Sequence, residues 1–168
     1  MIARPQIQFT VHGTPQPKGS AKAFMPKGWT RPIITSDNKS LKAWEQTIRA
    51  ELQRVMSETD GDVLTAIFLA PVSVTLIFHL PRPQSLPRRV IEPTKKPDLD
   101  KLARAAIDAL NGVLFKDDAQ VVAIGTRKRY AETAPRVDVI VESWAPGTCG
   151  SIAPYLTPET LFALVGEE

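Results

Sequence analysis

Five prolines fall within seventeen residues of this chain, PRPQSLPRRVIEPTKKP at 81–97, and they exclude that stretch from any helix or central strand. Proline lacks the N–H that both structures need, and its ring clashes with the preceding helical turn. The flanks are regular. Before the loop, Val72, Val74, Leu76, Phe78 and Leu80 alternate strictly with other residues, which predicts a strand with one buried face. After it, Pro97 stops the loop and a helix opens at Asp98. Leu99, Leu102, Ala103, Ala106, Ile107 and Leu110 keep helical spacing, and Asn111-Gly112 closes the helix. The middle of the chain is therefore strand, long stiff loop, amphipathic helix.

Elsewhere the signals are weaker. Ile7, Phe9 and Val11 predict a strand over 6–12, followed by a Gly-, Pro- and Lys-dense loop over 13–32. A loop of that length in a small domain is more often functional than idle. Ser36 or Asp37 is placed to cap a helix over roughly 39–58, whose stripe is Leu41, Trp44, Ile48, Leu52 and Val55. Residues 119–129 read as a third strand, and Val137, Val139 and Val141 mark a fourth. The expected class is α+β, one small domain over 1–145 with about a four-stranded mixed sheet and two main helices. A tail over 146–168 carries a short helix from Thr157-Pro158-Glu159.

A single cysteine, Cys149, excludes an internal disulfide, and no Cys/His spacing suits structural zinc. The opening MIARPQIQFT lacks the apolar stretch of a secretion signal, and no run of eighteen apolar residues exists. A cytoplasmic protein with no membrane span is expected.

Net charge is only +3, so the placement of the cations matters more than their sum. Lys18, Lys22, Lys27 and Arg31 sit in the first loop. Arg82, Arg88, Arg89, Lys95, Lys96, Lys101 and Arg104 crowd the second loop and the following helix, and Lys116 lies beyond it. Basic loops suit a phosphate backbone, and equally suit a solvated surface. The acids are more telling. Asp98 and Asp100 open the helix, and Asp117-Asp118 precede the next strand. Each has a plain structural explanation as a helix cap, a dipole partner or a turn residue.

Gathered together, the acids have a chemical one. A helix over 98–111 is about 20 Å long, and the seven residues to Asp118 reach at most about 25 Å. A nearly extended return therefore brings Asp118 beside Asp98 and Asp100; alternatively, a partner subunit supplies one acid. Three clustered carboxylates repel one another unless a cation sits between them. Magnesium, or manganese, is the hard ion such oxygens suit, and it serves in-line attack on a phosphodiester. Arg104, one turn after Asp100, and Lys101 are placed to neutralise the phosphate, or else Arg104 pairs with Asp100 or Asp108. No rival chemistry is supported: His12 and His79 are isolated in strands, and GTPQPKGS lacks the GK[ST] of a Walker A loop.

The run KPDLDKLARAAIDALNGVLFKDDAQVVAIGTRKRY resembles the core of RusA-type endodeoxyribonucleases, and VHGTPQPKGSAKAF resembles the opening of their phage-borne relatives. The resemblance implies a homodimer that resolves Holliday junctions, with Asp98, Asp100 and Asp118 as metal-binding catalytic carboxylates and Asp117 as an auxiliary acid. It also implies that Arg104 stands where the family often has lysine, and Lys101 where asparagine commonly follows D-L-D. Branched DNA would then be held by Lys18, Lys22, Lys27, Arg88, Arg89, Lys95, Lys96, Lys101 and Lys116. The alternatives are a structure-selective nuclease acting on flaps or forks, and a protein that binds branched DNA without cutting.

Overall fold

The computed structural model of the protein describes residues 5–19, 21–25, 27–31, 33–36 and 38–144. The elements in chain order are β1 (Gln6–His12), β2 (Ala21–Phe24), β3 (Ile33–Ser36), α1 (Leu41–Glu58), α2 (Gly61–Leu69), β4 (Val72–Leu80), α3 (Leu99–Leu110), β5 (Val121–Tyr130) and β6 (Arg136–Ser143). The main sheet runs β1-β6-β4-β5. β4 and β5 are parallel, while β6 is antiparallel to both β1 and β4, so the sheet is mixed. The α+β reading and the four-stranded mixed sheet are both present.

Alternation explains why one face of this sheet is dry. Val72, Val74, Leu76, Phe78 and Leu80 are buried together with Phe9, Val11, Val137, Val139 and Val141. The helices close over that face. Ile48 and Leu52 of α1 and Leu102, Ala106 and Leu110 of α3 are fully buried in the same core. α1 also secures the end of α3: the Arg49 guanidinium donates to the carbonyls of Asp108 and Ala109, at 3.3 and 3.1 Å. That satisfies last-turn acceptors which have no partner within a helix.

Three local expectations need correction. The 13–32 segment is not wholly loop, because Ala21–Phe24 pairs antiparallel with Ile33–Ser36 in a separate two-stranded sheet. Four residues are too short a run for alternation to stand out among Gly, Pro and Lys. The residue before α1 is Ser40, without a side-chain cap, rather than Ser36, which belongs to β3; Asp37 lies outside the described residues. There Asn38 takes the capping part, accepting from the Ser40 amide at 3.0 Å. Lastly, among the described residues a third, shorter helix, α2, joins the two main ones. α2 is capped by the Asp60 carboxylate, which accepts from Asp62 N at 2.8 Å. The 146–168 tail and its short helix lie outside the described residues.

For function, β4, α3 and β5 matter most. Parallel neighbours require a crossover, and here α3 supplies it. The chain leaves the end of β4 through the proline loop, returns along α3 and re-enters the sheet at the start of β5. The two ends of α3 thus lie at opposite ends of the β4–β5 pair.

Candidate active site

Asp98 precedes α3 with an extended backbone, and its side chain makes no capping hydrogen bond. Its carboxylate faces Lys101 instead, at 3.3 Å, both side chains being nearly half exposed. Asp100 is exposed in the first turn, where the helix dipole favours negative charge and equally favours a bound phosphate. Arg104 is exposed one turn further on and makes no ion pair among the described residues. The partner expected for it, Asp108, is taken by the Lys18 ammonium.

That ion pair carries the Lys18 side chain toward the last turn of α3, while backbone and lysine hydrogen bonds bring both basic loops to the start of the helix. The Lys18 amide donates to the Lys101 carbonyl at 2.9 Å, laying the first loop against the helix. The Lys128 ammonium donates to the carbonyls of Lys95 and Pro97, each at 2.9 Å, fastening the proline loop to β5. Between the loops lies a cleft of about 720 Å³ whose lining includes Lys18, Lys95, Lys96, Lys101 and Asp98. With Lys18 paired to Asp108 and Lys101 to Asp98, the positive charge of this concavity rests on Lys95 and Lys96. Lys27, Arg31, Arg88 and Arg89 are exposed elsewhere on these loops, and the Lys22 side chain lies outside what is described.

Asp118 is elsewhere, and the extended return over 112–118 does not occur. After Leu110 the chain curls: Val113 N and Leu114 N both donate to Leu110 O, and Gly112 N donates to Phe115 O. Gly112 has φ +73, a conformation that costs a side-chain-bearing residue steric strain. Leu114 and Phe115 are buried, so the curl is fixed by the core. Asp117 then caps a 3₁₀ turn. Its carboxylate accepts from Ala119 N at 2.8 Å, while the Gln120 side-chain oxygen Oε1 accepts from Asp117 N at 3.0 Å. Gln120 also donates to Phe68 O and Ala70 O, holding the turn at the start of the sheet. The exposed Asp118 carboxylate makes no hydrogen bond or ion pair among the described residues, and Lys116 is exposed nearby.

The twelve residues of α3 put about 18 Å between the helix start, where Asp98 and Asp100 stand, and the end from which the chain curls toward Asp118. Among the described residues no three Asp, Glu, His or Cys side chains lie close enough to hold a metal ion. One chain offers two acids at the helix start and a third at its far end, which does not amount to a metal site.

The family model described as Endodeoxyribonuclease RusA matches residues 12–142, most of the chain. The chain belongs to the RusA endodeoxyribonuclease family. It is therefore a hydrolase acting on DNA, of a family that resolves Holliday junctions and generally uses divalent metal ions. It is also 30% identical over 145 residues to the uncharacterized protein YqaN of Bacillus subtilis (strain 168), spanning 80% of this chain and 94% of that protein.

Two further features of this RusA domain concern Tyr130, which the sequence did not single out, and Asp138, the partner that makes His79 the satisfied strand histidine expected of it. Tyr130 lines the lysine-rich cleft, with the Arg82 guanidinium 5.3 Å from its ring centroid. The RKRY run ending β5 was its only signal. The second is on the sheet: His79 is buried, its Nε2 2.8 Å from Asp138 Oδ2, so it is a satisfied strand histidine. Burial pushes the Asp138 carboxyl up, but hydrogen bonds from His79 and Thr10 and the charge of Arg136 outweigh it and leave it below its ordinary value.

Proposed function

We propose that this chain works as a homodimer that cuts four-way DNA junctions by paired symmetric nicks in opposed strands, with magnesium, during recombination and repair. The observation that carries the reading is the division of the acids between the two ends of α3. A second copy related by a dyad supplies what one chain lacks: Asp118 from one copy joins Asp98 and Asp100 of the other. A two-fold axis also matches the two-fold substrate, so both opposed strands meet equivalent sites.

The sheet edge supports such a pairing. β5 ends the sheet order, and at its start Val122 and Ile124 are 54% and 50% exposed, beside Leu69 at 72%. Unpaired edges with exposed apolar side chains are templates for another strand. Antiparallel pairing of β5 with its copy brings the start of each strand, next to Asp118, to the end of the other. There Lys128 holds the loop that leads into Asp98.

Carboxylates of this kind suit magnesium, which supplies positive charge to a phosphate and a water of lowered pKa. The chain's own residues do the rest. Lys18, Lys95 and Lys96 hold the sugar–phosphate backbone at the cleft, while Arg104 and Lys101 neutralise the phosphate as charge develops. Lys22, Lys27, Arg88, Arg89 and Lys116 extend the footprint along the arms. The protein acts in the cytoplasm of a bacterial or phage-infected cell. No helix among the described residues is long and apolar enough to cross a membrane.

The test is cleavage of a synthetic four-way junction with magnesium, wild type beside Asp100→Asn, with linear duplex and flap controls. Symmetric nicks that vanish in the variant while binding survives are expected. Equal cutting of flaps makes it a general structure-selective nuclease, and binding without nicks makes it a junction-binding protein.

A further inference from the structure

The cleft at the start of α3 is more than a track for phosphates. A backbone-binding surface needs cations on a face that duplex can lie against, whereas this feature is a concavity of about 720 Å³ with hydrophobic walls. That volume falls within the roughly 300–1,000 Å³ typical of sites that enclose a small ligand. Leu80, Pro83, Pro93, Pro97 and Tyr130 form much of the wall, and the lysines stand among them. A ligand with a flat, largely apolar body and an anionic attachment matches this lining. A nucleotide has that chemistry.

Both walls are held in place before anything binds. On one side, Tyr130 N donates to Ile91 O and Ala131 N to Leu80 O, each at 2.8 Å. Arg82 lies over the Tyr130 ring, 5.3 Å from its centroid, an arrangement that fixes the aromatic plane. On the other, Lys18 N is bonded to Lys101 O, and the Asn38 amide donates to Pro17 O at 2.8 Å. Prolines in both loops stiffen them further. A preformed cavity loses little freedom on binding.

We propose that this cleft takes one unstacked nucleotide from the crossover of the junction, its base against Tyr130 and the proline walls and its phosphates on Lys95 and Lys96. A base paired and stacked inside duplex has both faces covered by its neighbours and cannot lie against Tyr130. Extrusion is least costly where pairing and stacking are already broken, as at a crossover, and stacking on an aromatic ring accepts any base. Asp98 lines the same cleft, so an occupant there sets the position of the neighbouring phosphate at the acidic end of α3. The inference rests on the DNA-cleaving reading and adds a positioning site to it.

A fluorescent base analogue that brightens on unstacking, 2-aminopurine, tests this when placed in turn at each position flanking the crossover. Divalent ions are removed by chelation so that binding is read without cutting. Wild-type protein should brighten the analogue at one position, and Pro83→Trp, which fills the cleft from an exposed loop position, should abolish the signal while the junction remains bound. Tyr130→Ala should abolish it as well. A bound junction with no brightening at any position, or brightening that survives Pro83→Trp, overturns the cleft assignment alone. Failure of the wild type to bind the junction overturns the functional reading, and the cleft with it.

Discussion

Lys101 changes what the acids at the start of α3 experience. Its ammonium lies 3.3 Å from Asp98, so a cation approaching that carboxylate meets a charge already in place. The pair is half exposed, and such pairs are worth about 0–1 kcal/mol. Lys101→Asn should therefore lower the magnesium concentration needed for half-maximal cleavage by up to roughly five-fold, read from a metal titration. An unchanged midpoint would mean that the pair does not compete with the metal. On the sheet, Asp138 bonds His79 and Thr10, each at 2.8 Å. Asp138→Asn should cost about 1–3 kcal/mol at neutral pH in urea unfolding, since it leaves buried partners poorly satisfied. The sign with pH follows from its lowered value: the carboxylate's contribution is complete above the ordinary 3.8 and fades as pH falls through the folded value. The carboxylate's own share of the difference between wild type and variant should shrink as pH falls below that ordinary value. Asp98 and Asp100 were legible because a D-L-D pair at a helix start is a local pattern. The Asp138 network was not, because it joins residues on three different strands.

Among the elements, the turn after α3 decides where the third acid stands. Its anchor is Phe115, fully buried in the core. Phe115→Ala should destabilise the fold by about 3–5 kcal/mol through the cavity it leaves. A cost below about 1 kcal/mol in denaturant unfolding would mean that the site relaxes and the curl is not held by packing. The loops at the other end carry a different expectation. Replacing Lys95 and Lys96 together by alanine should weaken junction binding for all sequences alike and reduce the slope of log affinity against log salt by roughly one per lysine. An unchanged slope would place neither side chain on a phosphate. The proline loop and β4 were read correctly from sequence, since proline chemistry and strict alternation act locally. α2 was not, as its FLA-rich run shows no clean face, and β2 was hidden by the glycines and prolines around it. The seven residues after α3 misled the geometry for a physical reason. Chain length bounds how far they reach, but burial of Leu114 and Phe115 makes them curl rather than extend.

For the molecule as a whole, the crossover β4–α3–β5 places Asp98 and Asp100 at one end of a helix and Asp118 beyond the other, and in the proposed dimer a dyad would bring them together between copies. The family was readable from residues 97–130, and chain length left two routes open for the third acid, an extended return or a partner subunit; the curl after α3 removes the first. The most direct measurement mixes two inactive variants, Asp100→Asn and Asp118→Asn, with refolding to exchange subunits, and assays nicking of a four-way junction. If each site draws acids from both copies, a mixed dimer holds one site with all its acids and one lacking two. Equal mixing should then restore about a quarter of the wild-type sites, as single nicks rather than paired ones. If each chain builds its own site, every site in the mixture lacks an acid, and no nicking above that of the separate variants would contradict the shared site.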